Sequence, residues 1–347
     1  MTSDVPAAHS LPIDPEIPLL APPQPIPGLV WAFRIGADGR PQALPVDRPI
    51  EPQHDARLWL HFNLTDTRAL QWLESAALPI PEQARALLLS KDTYQQLHAS
   101  DDGAYGVIAD LLRDIGGATE DTGYLRFVMT EHLLLSGRHR ALCAADATRR
   151  ALENGCRIDS VATLFETIVE NVAATMERVI DRLAETLDDI EEEVLSDEDV
   201  DLRKNLGQVR RTCVRLHRQL SGLQQVFHRL EEKDTSELKP ALQIAAGKLA
   251  QRLDGLDRTI IEMRERSRLL QEELQLKIEE QGNNSLRVLS VLTALLMPPT
   301  LVTGIFGMNT KGLPFTDSDA GFWWAAALIC LASLSAYLIL RRIGIIR

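Results

Sequence analysis

Cysteine is scarce in this 347-residue chain: Cys143, Cys156, Cys213 and Cys330 lie far apart and form no CxxC. That spacing points to neither a disulfide framework nor a structural zinc site, and reduced thiols fit a cytosolic bulk. Basic charge is short as well. Lys and Arg number 37 against 49 Asp and Glu, a net charge of -12, which argues against nucleic acid as a partner and fits cation handling loosely. No P-loop, GxGxxG or GxSxG occurs, so nothing marks the chain as an enzyme or as the holder of a resident cofactor. The Pro-rich opening from Leu11 to Pro27 carries acids and no basic n-region. It reads as a flexible tail, residues 1–28, rather than a signal peptide.

Two long uncharged runs stand against these absences, Val288 to Phe306 and Ala320 to Leu340. Each is close to the ~20 residues a helix needs to cross about 30 Å of hydrocarbon. A mean hydropathy of -0.08 hides them, because a long polar region dilutes their apolar content. Arg287 precedes the first run, and Arg341, Arg342 and Arg347 follow the second, whereas the connecting loop has Lys311 against Asp317 and Asp319. The positive-inside rule then sets both termini in the cytosol and the loop 307–319 outside, with Trp323 and Trp324 at the outer edge of the second span. Neither span contains Asp, Glu or His, so no membrane-embedded carboxylate supports proton coupling.

Residues 29–159 alternate strand-like and helix-like stretches, as in an α/β domain of ordinary size. Leu58 to Phe62 with Leu64, Tyr105 to Leu112, Tyr124 to Met129, Glu131 to Ser136 and Arg140 to Ala144 read as strands, broken at Gly116-Gly117 and Gly137. Asp66 and Thr67 cap a helix carrying Leu70, Trp72 and Leu73. From residue 160 to 285 the period is helical: Val161 to Val194, Val200 to Leu230, then a helix with Ser236 as N-cap and Lys239 and Pro240 in its first turn. That last helix has a seam of Leu242, Ala246, Leu249, Leu253, Leu256, Ile260, Met263, Ser267, Leu270 and Leu274. The spacing describes a coiled coil and predicts that several copies pack through it. A helix unbroken from Ala241 to Phe306 would make a rod of about 100 Å at 1.5 Å per residue, running into the membrane part, residues 286–347.

At 100° per residue the first span sorts into two faces. Asn283, Leu286, Ser290, Thr293, Met297, Thr300 and Gly304 share a mixed face, while Val288, Leu292, Leu295, Pro299, Val302 and Phe306 share an apolar one. Hydroxyls on a membrane helix serve helix–helix contacts in many proteins; continuity with a self-associating coiled coil favours a shared pore instead. Pro298-Pro299 removes two backbone donors, frees the carbonyls one turn earlier near Ala294 and Leu295, and favours a bend. Beyond it, Gly307-Met308-Asn309 offers a tight turn and a neutral amide oxygen. A ring of such oxygens holds a hydrated divalent cation through its waters.

The tract Met297-Pro298-Pro299-Thr300 with Thr303 to Asn309 resembles the CorA superfamily of divalent-cation transporters, the two-span GxN type. The resemblance covers nearly the whole chain from about residue 29. It implies an α/β cytosolic domain, long coiled-coil stalk helices, two C-terminal transmembrane helices and a funnel-shaped homopentamer. It also implies Gly307, Met308 and Asn309 as the filter at the mouth, with Asn283, Leu286, Leu289, Thr293, Met297 and Thr300 lining the pore. Gly312-Leu313-Pro314 in the outer loop, the stretch Leu125 to Leu135 and the acidic helix from about Val161 look like the ZntB-like zinc-transporter branch. Lys311 departs from the glycine that this branch often has there and puts a positive charge near the mouth. The cargo so implied is Zn2+, with Mg2+, Co2+, Ni2+ or Cd2+ as alternatives, in the bacterial inner membrane; a Mg2+/Co2+ transporter of the same architecture is the nearest rival. A membrane-anchored coiled-coil scaffold is the rival of another class.

Two lesser features have plain alternatives. Between Asp181 and Asp201 there are eleven acids and one base, Arg182, readable as a cation-concentrating rim or as solvated helix ends. Cys213 and His217 stand at i and i+4, a spacing open to a shared metal and equally to coincidence.

Overall fold

The computed structural model describes residues 25–50, 56–100, 103–114, 117–196, 202–232, 240–308 and 321–344. The chain forms two compact units, one ending at Arg268 and the other beginning at Leu269.

The first unit is built on a seven-stranded mixed sheet. Its strands are β1 (Leu29–Ile35), β2 (Pro41–Leu44), β3 (Arg57–Asn63), β4 (Gln96–Ser100), β5 (Gly103–Asp114), β6 (Gly117–Met129) and β7 (Leu133–Arg138). Their order is β2-β1-β3-β7-β6-β5-β4, and β3 with β7 is the parallel pair, Leu60 opposite Leu135. Side chains alternate between the two faces of each strand. Leu58, Leu60 and Phe62 face a core shared with α1 (Thr67–Ser75) and α2 (Glu82–Leu89). Asp66 caps α1 by accepting from the Arg68 N–H at 2.9 Å, as its sequence predicts.

Trp59 and His61 point to the other face, which meets α3 (Cys143–Glu153) and α4 (Val161–Ser196). The Phe127 and Phe165 rings lie 4.2 Å apart there, joining β6 to α4. A polar chain is buried in this layer. Arg138 Nε donates to His61 Nε2 at 3.1 Å, which leaves Nδ1 as the protonated nitrogen donating to Ser136 Oγ at 2.8 Å. Trp59 Nε1 donates to the same oxygen at 2.8 Å. Burial, helped by the Arg138 charge, holds His61 well below its ordinary pKa, so it is a neutral core residue.

Two expectations for this unit fail because of contacts distant in sequence. Arg140 to Ala144 is not a strand: Leu142 makes a single bridge to Leu112 and α3 begins at Cys143. The residue before α3, Leu142, has no capping side chain, so Asp110 on β5 supplies one, its Oδ2 accepting from Ala144 N at 2.8 Å and Oδ1 from Leu111 N at 2.7 Å. Burial outweighs these bonds and raises the Asp110 pKa to about 7. Gly137 is not a break either; it sits inside β7, where an added Cβ would come within 2.7 Å of Leu64 Cδ1. The glycine marks close packing between β7 and the residue after β3.

Three long helices follow: α4, α5 (Leu202–Glu232) and α6 (Pro240–Gly307). The α6 seam is covered within the same chain. Ala246, Leu249, Leu253, Leu256, Ile260 and Met263 are all buried. Polar contacts locate their cover on α4 and α5: the ion pairs of Arg252 with Glu177 at 2.8 Å and Arg266 with Asp188 at 2.6 Å, and a hydrogen bond between His217 Nδ1 and Asp257 Oδ1 at 2.7 Å. This corrects the expectation that copies pack through the seam, because helices of the same chain already fill it. Ser236, Lys239 and residues 1–24 of the expected tail lie outside the described residues, whereas Ile26, counted in that tail, is buried in the core of the first unit, so the tail ends before it.

Candidate functional site

The second unit contains the end of α6 and the whole of α7 (Gly321–Arg342). Both helices are long and apolar enough to cross a membrane. Arg287 donates from Nη2 to the Gly344 carbonyl at 3.4 Å, tying the basic ends of the two helices. Along α7 the partly covered positions include Ala325, Ala326, Ile329, Ala332, Ser333 and Ala336, a stripe of mostly small residues of the kind that lets membrane helices approach closely. Phe322, Trp323 and Trp324 are exposed.

On α6 the two faces expected from the 3.6 period differ in cover. Leu295, Pro299, Val302 and Phe306 of the apolar face are partly covered, whereas Val288 and Leu292 are exposed. On the mixed face Asn283, Leu286, Ser290, Thr293, Met297, Thr300 and Gly304 are all exposed, with Leu286 at 62% and Met297 at 65%. Leu289 is exposed beside them. Two hydroxyls on this face turn back to their own helix. Thr293 donates to the Leu289 carbonyl at 2.8 Å and Thr300 to the Leu296 carbonyl at 2.7 Å, so both carry free oxygen lone pairs outward. The helix is continuous through Pro298 and Pro299.

Gly304 and Gly307 face open space, with no atom within 4 Å of an added Cβ. Among the described residues, no packing requires either glycine. Gly307 is the last residue of α6, and Met308 follows it, exposed, with its N–H donating to the Ile305 carbonyl at 3.3 Å. Asn309, Lys311, Gly312 and Pro314 lie outside the described residues.

The pair Cys213 and His217 is separated by its surroundings. Cys213 is fully buried, and burial pushes its thiol up to about 11, disfavouring the thiolate a metal needs. His217 pairs with Asp257 across to α6. Among the described residues no group of three or more His, Cys, Asp or Glu gathers to hold a metal. The acidic run is partly engaged too, since Asp188 and Glu191 both meet Arg266; residues 197–201 lie outside the described part.

Sequence reasoning passed over Leu269 and Leu276. Both are exposed, at 54% and 66%, on the part of α6 before the first span. Their signal was the seven-residue step that links them to Asn283, masked by the stronger buried seam beside it.

The family described as CorA-like Mg2+ transporter protein matches residues 55–342. The chain belongs to that family. Within it, the chain is 24% identical over 300 residues to a "Zinc transport protein ZntB" of Pectobacterium carotovorum subsp. carotovorum (strain PC1), covering 85% of this chain and 89% of the relative. Among solved structures, full-length CmaX protein is 25% identical and superposes with a TM-score of 0.75, covering 91% of this chain and 97% of that one. The complete CorA magnesium transporter from Methanocaldococcus jannaschii shares the fold at a TM-score of 0.77 and 19% identity, over 91% of this chain and 99% of that one. The α/β unit, long helices and two apolar C-terminal helices are thus the architecture of this family.

Proposed function

We propose that the chain is a homopentameric pore that carries divalent cations across the bacterial inner membrane, with Zn2+ as its principal cargo. The observation that carries this reading is the mixed face of α6. Seven positions, from Asn283 to Gly304, include three hydroxyls, an amide and a thioether, and all seven are exposed among the described residues. A membrane helix facing lipid on that side would have little use for polar groups. A helix facing a shared water-filled axis uses them to meet a hydrated ion.

The chemistry fits a cation that keeps its waters. No carboxylate or imidazole lies in either span, so direct charged ligands are absent from the path. Thr293 and Thr300 offer neutral oxygens one above the other, and Asn309 at the mouth adds an amide carbonyl. Mg2+ in particular dehydrates reluctantly and is held by such groups through water. Gly304 and Gly307, which no packing among the described residues requires, let copies approach closely at the outer end of the pore. Arg287, Arg341 and Arg342 set both termini on the cytosolic side.

Zinc rests on the relatives described as zinc transport proteins, at 22–25% identity. The second reading, Mg2+ with Co2+, rests on the family's description and on the magnesium transporter that shares the fold. Uptake of metal into liposomes holding the purified full-length chain separates them. Zn2+ uptake is expected, falling at least about tenfold in Asn309→Ala, as when an ordered filter group is lost. Mg2+ flux without Zn2+ flux replaces the zinc reading with the second. Indifference to Asn309→Ala in the absence of any flux leaves only the membrane-anchored scaffold.

A further inference from the structure

Three arginines meet at the basic end of the second unit. Arg287 lies on α6, and Arg341 and Arg342 fall in the last turn of α7. Arg287 donates to the Gly344 carbonyl at 3.4 Å, and the Gly344 N–H bonds the Arg341 carbonyl at 3.1 Å, so one junction holds all three. Arg341 and Arg342 are exposed, and neither has a carboxylate partner among the described residues. From Gln281 to Gly344 the sequence has only two acids, Asp317 and Asp319, both in the loop that joins the helices. At 100° per residue Arg287 falls about midway between the mixed face and the apolar face of α6, off the proposed pore. Helix ends account for part of this charge, since Arg341 and Arg342 suit the carbonyl end of α7. Arg287 lies far from both ends of α6 and owes nothing to them.

Depth identifies the partner. Arg287 is nineteen residues from Phe306, and Arg342 is nineteen from Trp323. At 1.5 Å per residue each interval is about 29 Å, the thickness of the hydrocarbon. The guanidinium groups thus come level with the phosphates of one leaflet, which the positive-inside rule makes the cytosolic one. We propose that Arg287, Arg341 and Arg342 form a headgroup site for an anionic phospholipid of that leaflet, seated where α6 meets α7. Guanidinium forks match phosphate oxygens in pairs, and basic pockets between membrane helices on the cytosolic side hold anionic headgroups. The arginines come from two helices, so a bound headgroup joins α6 to α7 at the end where the contact of Arg287 with Gly344 already ties them. The site requires that both helices span a bilayer and is independent of which ion crosses it.

Ile343→Trp sets a fluorescent reporter beside the site, at a position exposed at 66%. The full-length chain carrying it is reconstituted in phosphatidylcholine bilayers with a rising share of dibrominated phosphatidylglycerol, whose bromines quench a neighbouring indole. The same share of dibrominated phosphatidylcholine is the reference, and the chain without the reporter supplies the background of its own tryptophans. About a fivefold preference for phosphatidylglycerol is expected at this position, weakened by salt. Arg287→Gln, and Arg341→Gln with Arg342→Gln, should each bring the preference near one, whereas Arg258→Gln, at an exposed stalk position, should leave it unchanged. Arg341→Lys with Arg342→Lys keeps the charge and loses the fork, and should about halve the preference; this pair decides if the glutamine variants fail to fold. Equal quenching by the two lipids overturns the site, and so does a preference that the arginine variants keep in full. A preference abolished by inorganic phosphate, and not by chloride at equal ionic strength, gives the arginines to free phosphate and overturns the lipid. A chain that shows the preference and moves no cation keeps the site and sinks only the transport reading.

Discussion

The two units of this chain treat apolar surface in opposite ways. In the first, Trp59, Phe62, Leu253 and Met263 are hidden, and polar groups such as His61, Ser136 and Asp110 find hydrogen-bond partners inside. In the second, Leu286, Met297, Leu301, Leu331 and Leu338 are exposed. A soluble protein rarely displays so much contiguous apolar surface without a purpose. Burial therefore identifies what a single chain completes by itself, and exposure identifies what its surroundings must complete. Along α6 the contrast falls within one helix, between a seam filled by α4 and α5 and a face left exposed by the described residues.

The sharpest way to break this comparison is a pair of truncations. Leu253→Ala opens a cavity in the covered seam and should cost the first unit about 2–5 kcal/mol. Leu276→Ala, on the exposed face, should change the stability of that unit by no more than about 0.5 kcal/mol. Hydrogen-exchange protection of the α4, α5 and α6 amides reads both, and equal losses would erase the distinction between the two faces.

A smaller effect concerns the Asp110 cap. Burial raises its pKa from 3.8 to about 7 in the folded chain. The folded state therefore holds this proton more tightly than the unfolded one, and the stability it contributes is complete below the unfolded value and lost as pH rises through about 7. Asp110→Asn keeps an acceptor for the Ala144 N–H and has no proton to lose. Its melting temperature should gain on the parent's by a few degrees between pH 6 and pH 8. A difference that does not change with pH would mean that the carboxyl is not the group titrating.

Much of the architecture was legible in the sequence because period and composition decide it locally. The strand at Leu58 to Phe62, the Asp66 cap and the long helical runs from Val161 onward follow from nearest-neighbour patterns. What escaped depends on distant contacts. The start of α3 at Cys143 is set by a carboxylate on β5, and Gly137 answers to Leu64, far away in sequence. The seam of α6 was read correctly as buried, but no periodicity tells whether its cover belongs to the same chain or to another copy. For the candidate site, the wheel sorted the residues of α6 into faces, and the exposure of Asn283 to Gly304 is the structural fact on which their proposed roles now rest. Leu269 and Leu276 were missed because a seven-residue step is faint beside a strong buried seam.

The central claim is that further copies complete the exposed mixed face of α6 around one axis. A mass measurement of the detergent-purified full-length chain, corrected for bound detergent, tests it most directly. The account predicts a single species of five copies; a monomer that still carries Zn2+ into liposomes would contradict it.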